Sequence, residues 1–257
     1  MVSAMVANQG IAGKVTHQFS RSCWRDFPLL VKDAAVNSAN HLVCEIGGGA
    51  RPALDLDFVE AHGINYTVMD ISSSELAKAD ARYNKVQADI GGELPDDVGG
   101  PYDLLFSKTL AEHVRDAERF HRNVLSMLAE GGTAIHLFPT LYAPAFVVNR
   151  LMPARVSRWL LKKVQGSRRD AGGLEGKFPA YYSWCRGPSP RQIRKFERMG
   201  YSVLEYRSYY GTPGYYRPLQ LGWLDDIVSR ALVRWQLSVF SAYAIVVLRR
   251  SAIRRHS

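Results

Sequence analysis

The 257-residue chain has little cysteine and no long hydrophobic run. Its three cysteines, Cys23, Cys44 and Cys185, are far apart in the sequence, which argues against disulfides and favours a reducing compartment. No stretch approaches the roughly 20 apolar residues that a membrane-spanning helix requires. The N-terminus lacks the basic and apolar segments of a signal peptide. Together these absences predict a cytoplasmic protein.

Charge is unevenly distributed along the chain. Residues 1–138 hold 12 lysines and arginines against 18 aspartates and glutamates, whereas residues 139–257 hold 21 against 6. A basic half can face an anionic substrate, a nucleic acid or an anionic membrane surface. It can equally be a solvated face without a partner, so composition alone leaves these alternatives open.

Short apolar segments alternate with helical segments. Strands buried on both faces are continuously apolar, and helices show apolar residues at intervals of three or four. By these criteria we expect seven strands, in the segments HLVCEI, INYTVMD, KVQADI, YDLLFS, TAIHLFP, YSVLEYRSY and SAYAIVVLRR. Five strands in succession with helices between them predict an α/β fold, in which a mostly parallel sheet carries helices on both faces.

The alternation breaks after residue 139, which predicts a single domain with two insertions. We expect an N-terminal helical segment over residues 1–40, a core over 41–139, insertions over 140–187 and 208–240, and a final strand over 241–249. Within the core, one helix is expected from Pro52 to about His62. A second is expected over TLAEHVRDAERFHRNVLSML, where Gly131 and Gly132 end it.

A glycine turn follows the first expected strand, in HLVCEIGGGARPALDL. Gly47, Gly48 and Gly49 would let a ligand approach the backbone closely. The dinucleotide fingerprint G-x-G-x-x-G fails because position 52 is proline, and no Gly-Lys-Ser/Thr follows to form a phosphate loop. Glu45 precedes the turn, where a carboxylate would repel a phosphate and attract a cation. This pattern favours a ligand with an ammonium and a sulfonium group and no phosphate.

Acidic residues also end the next two expected strands. Asp70 would accept hydrogen bonds from both ribose hydroxyls of such a ligand, and Asp89 from an exocyclic amine of adenine. Ile71 and Ile90 each follow one of these acids and could hold the purine ring between them. The alternative is that both aspartates only cap loops or helices.

These motifs, taken together, resemble those of class I S-adenosylmethionine-dependent methyltransferases, and most closely the type-11 branch. The segments that carry the resemblance are VCEIGGGARP, YTVMDIS, VQADI, YDLLFSKTLAEHV and LSMLAEGGTAIHLFP. The resemblance implies a Rossmann-like seven-stranded sheet with the last strand antiparallel, and lid-forming insertions after strands five and six. It also implies S-adenosylmethionine as cofactor.

Carried over by position, the family's cofactor-binding residues are Glu45, Gly47, Gly49, Asp70 and Asp89, with Ser107 beside the methionine portion of the cofactor. One departure is visible. Arg51 stands where the family has a third glycine, which puts the geometry of the turn in question.

Histidines are the candidate bases for an acceptor that must lose a proton. His113, just after the fourth strand, is the predicted catalytic base, although a role in capping the loop or touching the cofactor is favoured. His136 is expected to be buried and satisfied, and His121 to be on the surface. No metal site is predicted, because no His, Asp or Glu set has metal-ligand spacing.

The insertions are basic and aromatic, and we expect them to bind the methyl acceptor. The candidate acceptor-binding residues are Tyr142, Tyr181, Tyr182, Trp184 and Arg186, with Tyr209, Tyr210, Tyr215, Tyr216 and Arg217 in the second insertion. They suit a small-molecule, sugar or lipid-linked acceptor with negative charge, methylated at oxygen. An insertion that packs its own small core is the alternative for any single tyrosine.

Two other functions remain open at this point, an RNA methyltransferase and a non-catalytic binding subunit. RNA is less favoured, because no separate RNA-binding module and no Asn-Pro-Pro-Tyr-like motif is found. A helix over about residues 219–235 has Leu221, Leu224, Val228, Leu232 and Trp235 near one face. It would either lie on a membrane surface as a peripheral contact or cover the sheet, which is the ordinary use of such a stripe.

Overall fold

A computed structural model describes residues 15–144, 179–212 and 222–251. These residues form one eight-stranded sheet in the order β1-β7-β8-β6-β5-β2-β3-β4. The strands are β1 (Val15–Phe19), β2 (Leu42–Ile46), β3 (Asn65–Asp70), β4 (Asn84–Gln87), β5 (Tyr102–Lys108), β6 (Leu128–Pro139), β7 (Tyr201–Tyr210) and β8 (Tyr243–Arg250).

The sheet is parallel except at its last strand. Strands β4, β3, β2, β5 and β6 run parallel to one another, and β8 lies antiparallel between β6 and β7. The predicted α/β fold with an antiparallel last strand is therefore confirmed. Because β2 pairs with both β3 and β5, the strand order reverses at β2, and a crevice opens there at the carboxyl ends of the strands.

Strand β1 is an addition to the seven predicted strands. It pairs in parallel with the outer edge of β7, with Val15 opposite Tyr206 and Phe19 opposite Tyr210. The expectation of a helical segment over residues 1–40 is thus wrong for residues 15–19. Covering the edge of β7 satisfies backbone groups that would otherwise be open to solvent.

Six helices accompany the strands in the described part of the chain. They are α1 (Cys23–Val36), α2 (Leu56–Ala61), α3 (Ser73–Leu76), α4 (Ala117–Met127), α5 (Pro190–Arg198) and α6 (Gly222–Arg234). Phe27 and Val31 of α1 pack in one apolar layer with Phe106 of β5. Phe120 of α4 and Phe196 of α5 belong to the layer on the other face. Helices therefore cover both faces of the sheet, as predicted.

Helix α2 begins four residues later than the sequence suggested. The expected start was Pro52, but the helix begins at Leu56 with Asp55 as its cap, whose side chain accepts a hydrogen bond from Phe58 N at 2.9 Å. The amide of Ala53 donates to the Glu45 carboxylate instead of starting a helical turn. The helix begins at Leu56 because Glu45 binds the amide of Ala53 and Asp55 caps the amide of Phe58.

The long helix expected after the fourth strand is divided. A short 3-10 helix covers Ala111–His113, and α4 begins only at Ala117, where the Asp116 side chain accepts from Arg119 N at 3.0 Å. It ends at Met127, so the glycines assigned to its end lie within β6. Because of this break, the 3-10 helix lies at the crevice and is not part of α4.

Candidate active site

The glycine turn after β2 is held against the end of β3. Gly47 N donates to Met69 O at 2.7 Å, and Gly48 N lies 3.3 Å from the same oxygen. Gly47 has φ +80° and Gly49 has φ +46°, both in the region that favours glycine. A Cβ at Gly47 would collide with Leu110 Cδ1. The turn therefore has no room for side chains, and its backbone stays close to whatever lies above it.

Arg51 does not disturb this turn. Its amide donates to Gly48 O at 3.1 Å, and its side chain is exposed. The arginine is accommodated because it points to solvent.

Glu45 lies beneath the turn in a polar network of its own. It is 2% exposed, and Oε2 accepts hydrogen bonds from Ala53 N at 2.7 Å and from the Tyr66 hydroxyl. Burial raises the pKa of the Glu45 carboxyl, and these two hydrogen bonds oppose the rise. In this structure Glu45 fixes the entry to α2, and its contact with a ligand ammonium stays a prediction.

Asp70 and Asp89 lie at the ends of β3 and after β4. Asp70 Oδ1 accepts from Ser72 N at 2.9 Å, and Asp89 Oδ1 accepts from Gly91 N at 2.8 Å, so each aspartate caps its loop with one oxygen. Asp70 Oδ2 lies 3.1 Å from the position that a Cβ would take at Gly49. Capping with one oxygen leaves the other to a ligand, so loop capping and ligand binding are compatible.

The remaining cofactor candidates differ in exposure. Ile71 is exposed at the end of β3, whereas Ile90 is buried in the apolar layer that contains Phe120. Ser107 is fully buried in β5, and its hydroxyl pairs with His136 Nδ1 at 2.8 Å. Of these three, only Ile71 presents its side chain to solvent, and the predicted ligand contacts of Ile90 and Ser107 stay predictions.

The comparison with known families decides what kind of site this is. Residues 45–136, which contain the glycine turn, both aspartates and the 3-10 helix, match the family model described as a methyltransferase domain. Residues 45–136 therefore carry a methyltransferase domain, which agrees with the resemblance to class I, S-adenosylmethionine-dependent methyltransferases found in the sequence.

Relatives of this methyltransferase domain include proteins with different acceptors. The chain is 31% identical over 122 residues to ajmaline N-methyltransferase of Rauvolfia serpentina, a match that covers 45% of this chain. This chain spans 40% of the length of that curated relative.

Solved structures share the fold at low sequence identity. Magnesium protoporphyrin IX methyltransferase from Synechocystis PCC 6803, with bound SAH, is 16% identical with a TM-score of 0.51, covering 97% of this chain and 91% of that one. Geranyl diphosphate C-methyltransferase from Streptomyces coelicolor A3(2) is 10% identical with a TM-score of 0.52, covering 90% and 80%.

The residues at the crevice of the methyltransferase domain fit the cofactor of this class. A turn built on glycines lets a nucleoside approach the backbone closely, and the two aspartates supply acceptors for hydroxyl and amine donors. The cofactor carries no phosphate, so the carboxylates at the strand ends are not repelled by a phosphate charge.

The 3-10 helix Ala111–His113 lies between the two parts of the cofactor crevice. Just before it, Leu110 packs against Gly47, and just after it, Val114 Cγ1 lies 3.1 Å from the position of a Cβ at Gly91. The acceptor insertion returns to the same place, because Tyr181 N donates to Glu112 O at 2.7 Å. The glycine turn, the Asp89 loop and the insertion therefore meet around Glu112.

Glu112 is the functional candidate that sequence reasoning missed. It is 4% exposed, and its Oε2 is buried without a hydrogen-bond partner among the described residues. Burial raises the pKa of this carboxyl from 4.5 to about 7, and His113 nearby opposes part of the rise. The segment YDLLFSKTLAEHV contains this glutamate, but only His113 was considered as a base.

His113 has a structural hydrogen bond. Its Nδ1 lies 3.0 Å from Pro179 O, which can only accept, so Nδ1 carries the hydrogen. Its Nε2 lies 3.8 Å from Glu112 Oε1. This position supports the favoured alternative that His113 holds the loop, here against the insertion, while catalysis by His113 stays a prediction.

The predicted acceptor residues of the first insertion fall into two groups. Tyr142 and Tyr181 are exposed, and the Arg186 guanidinium lies 5.2 Å from the centre of the Tyr142 ring. Trp184 instead stacks on His121 with ring centres 5.3 Å apart, and also packs against Phe196. Trp184 thus follows the alternative of an insertion packing its own core.

Tyr182 joins these groups. It is half-buried with φ +51°, and its carbonyl oxygen accepts from Arg186 Nη1 at 2.5 Å. Burial, with Glu112 next in importance, raises the pKa of its hydroxyl. Tyr182 therefore connects the predicted acceptor residues to Glu112.

One sequence expectation outside the site centre needs correction. His121 was expected on the surface but is buried, because the insertion lies over α4 and stacks Trp184 on the imidazole. Burial lowers the pKa of His121 well below its ordinary value and that of His136 to about 3, so both are neutral.

Tyr209 and Tyr210 of the second insertion face the N-terminal segment of the chain. Tyr209 and Tyr210 are buried in β7, where their hydroxyls contact Asp26 Oδ2 at 3.1 Å and His17 Nδ1 at 2.8 Å. These two tyrosines hold the N-terminal segment in place. Tyr215, Tyr216 and Arg217 lie outside the described residues.

Proposed function

We propose that this protein methylates an oxygen atom of a small-molecule, sugar or lipid-linked acceptor that carries negative charge, with S-adenosylmethionine as the methyl donor. Glu112 carries the proposal. It is a buried carboxyl with an oxygen that lacks a partner among the described residues, between the glycine turn and the insertion.

The cofactor side of the proposal rests on the strand ends. Asp70 would accept the ribose hydroxyls and Asp89 the adenine amine, while Gly47 and Gly49 let the nucleoside approach the backbone. When bound, S-adenosylmethionine supplies a methyl group activated by its positive sulfonium. The protein positions the acceptor and handles the proton.

Glu112 supports oxygen as the methylated atom. An alcohol becomes a good nucleophile only as its proton is removed, whereas a neutral amine or a carbanion does not need such a base. Glu112 Oε2 is available for this proton, and a carboxyl pKa of about 7 makes it a stronger base than an ordinary glutamate at neutral pH. After transfer the proton leaves Glu112 to solvent.

Arg186 supports a negatively charged acceptor. Its guanidinium lies over the exposed Tyr142 ring, and Nη1 is oriented by the carbonyl oxygens of Tyr182 and Cys185. A guanidinium held beside an aromatic face suits an anion next to a ring or sugar. The excess of basic residues after position 138 agrees with this.

The competing hypotheses make different predictions. An RNA acceptor requires retention on RNA that weakens steeply with salt, with a slope equivalent to several phosphate contacts. A non-catalytic binding role requires cofactor binding without transfer of label. A non-catalytic role makes no use of the unpaired oxygen of Glu112.

The test is transfer of labelled methyl groups to cell extract that has been separated into lipid, polar small-molecule and RNA fractions. We expect label in the lipid or polar fraction with the natural protein, and its loss with Glu112→Gln. Glu118→Gln in α4 is the matched control, because the Glu118 side chain is exposed and pairs only with Arg122 among the ion pairs of the described residues. Label in RNA, or no transfer by the natural protein, would contradict the proposal.

A further inference from the structure

Helix α6 presents its polar side to the protein body. Ser229 and Leu232 are buried, and the Asp225 carboxylate accepts hydrogen bonds from Thr212 N at 3.0 and 3.1 Å. The helix lies against β1 and β7. Of its body-facing residues, only Leu232 is a large apolar side chain.

The opposite side of α6 is apolar and exposed. Trp223 is 58% and Ile227 57% exposed, and Leu224 and Val228 beside them are exposed as well. The segment that follows continues the pattern, since Trp235 is 67% exposed. We call the α6 surface the exposed residues Trp223, Leu224, Ile227, Val228, Trp235, Leu237, Val239 and Phe240.

This arrangement contradicts the ordinary use of the stripe, which was to cover the sheet. Leu224, Val228 and Trp235 were expected to face the sheet, but they are exposed, and of the described residues of this stripe Leu232 alone is buried. Leu221 lies outside the described residues. Single exposed apolar residues are common, but a contiguous set of this kind marks a binding surface.

Arginines border the α6 surface. Arg230 and Arg234 continue the stripe of Trp223 and Ile227 at helical spacing, and both are exposed. Arg21, from the short turn before α1, lines a cleft of about 520 Å³ together with Arg230. Asp225 and Asp226 line the same cleft. Asp225 is bonded to Thr212 and lies in the first helical turn, where the helix dipole favours a negative charge.

We propose that the α6 surface binds the interface of a membrane that contains anionic phospholipids. Apolar side chains on one side with arginines beside them, and tryptophans at both ends of the helix, are the composition of helices that lie in the headgroup region. Its 13 residues span about 20 Å along the membrane plane. None of the described helices is both long and apolar enough to cross a bilayer.

The arginines favour a lipid surface over a second copy of the chain. A contact between two copies through this surface would remove the bordering Arg230 and Arg234 from water, which is costly for charged groups, whereas anionic headgroups complement them. The proposal does not depend on the proposed function, because vesicle binding is measured without cofactor or acceptor.

The test is flotation of the full chain with vesicles of phosphatidylcholine, with and without phosphatidylglycerol. We expect binding to the anionic vesicles that Ile227→Glu weakens by about tenfold or more, because one large apolar side chain is lost from the interface. Arg230→Gln should reduce the preference for phosphatidylglycerol. Leu29→Glu is the matched control, since Leu29 is 60% exposed on α1, outside the α6 surface.

Three results would overturn the proposal. The natural protein would remain unbound with both vesicles, or Ile227→Glu and Leu29→Glu would bind equally well. Alternatively, Ile227→Glu would convert a dimer to a monomer in light scattering while the natural protein ignored vesicles, which would assign the surface to a second copy. Unchanged thermal unfolding of Ile227→Glu confirms that a loss of binding is not a loss of fold.

Discussion

Two regions at the same end of the sheet each bury a glutamate, and they use it differently. At the end of β2, Glu45 is paired with Ala53 N and the Tyr66 hydroxyl. In the 3-10 helix after β5, Glu112 keeps an oxygen without a partner among the described residues. Burial raises the pKa of both carboxyls. The difference shows that burial alone does not identify a glutamate that takes part in the chemistry. A satisfied carboxylate holds the structure, and an unsatisfied one is available to a ligand.

The largest effect is expected from removing the base. Glu112→Gln keeps the size of the side chain but cannot take a proton, so methyl transfer should fall by about 10²–10⁴-fold. Cofactor affinity should stay unchanged, since Glu112 is not assigned to the cofactor. Transfer by the natural protein should rise as the pH increases through about 7, where this carboxyl ionises. Measured rates for both proteins across pH check this.

A variant that keeps the carboxyl sharpens the same comparison. Glu112→Asp should retain part of the activity and its dependence on pH. A fully active Glu112→Gln, or a rate that is flat between pH 6 and 8, would remove Glu112 from the chemistry.

The second largest effect is expected on stability at Glu45. Glu45→Ala leaves Ala53 N and the Tyr66 hydroxyl without their shared acceptor, and should lower the free energy of unfolding by about 2–4 kcal/mol. Tyr66→Phe removes one of these hydrogen bonds and should cost less. Denaturant unfolding measures both. A Glu45→Ala protein as stable as the natural one would show that the network does not hold the turn.

A smaller effect is expected on cofactor binding at the strand ends. Asp70→Ala removes the acceptor assigned to the ribose hydroxyls, which should weaken S-adenosylmethionine binding by about tenfold to a hundredfold. Asp80→Ala is the control, because Asp80 pairs with Arg82 on the surface. Calorimetric titration with S-adenosylmethionine measures the affinity of each variant. Equal affinities for the two variants would contradict the assignment of Asp70.

The smallest effect is a gain in stability at Glu112. A carboxyl whose pKa is higher in the folded state binds its proton more tightly there, so its contribution to stability is present below about pH 4.5 and is lost as pH rises through about 7. The free energy of unfolding of Glu112→Gln should therefore exceed that of the natural protein by about 1–2 kcal/mol at pH 8, and the two should be equal at pH 4. Urea unfolding at both pH values checks this, and a loss of stability at pH 8 would oppose it.

The sequence predicted most strands of the sheet, because their signals are local. Buried parallel strands are continuously apolar, and seven of the eight were located from that property. Strand β1 was missed because its burial depends on pairing with β7, almost 200 residues later in the chain. Helix starts were misplaced where a distant group decided them, as when Glu45 takes the amide of Ala53.

The sequence predicted which candidate residues stand at strand ends but not how their side chains are oriented. The glycines, Asp70 and Asp89 occur where the motifs placed them, yet the sequence gives no indication that Glu45 turns towards Tyr66. Glu112 was not recognised because its chemistry comes from the insertion that covers it, through Tyr181 and Tyr182. The exposed face of α6 was likewise hidden, since an amphipathic pattern does not say which face meets the sheet.

The most direct measurement is the carboxyl pKa of Glu112, followed by ¹³C NMR of protein labelled at the glutamate side-chain carboxyls and assigned by comparison with Glu112→Gln. The account predicts a titration midpoint at about 7 for this resonance. A midpoint near the ordinary value of 4.5 would mean that water or another group already satisfies the carboxylate. Glu112 could then not be the proton acceptor that distinguishes this site.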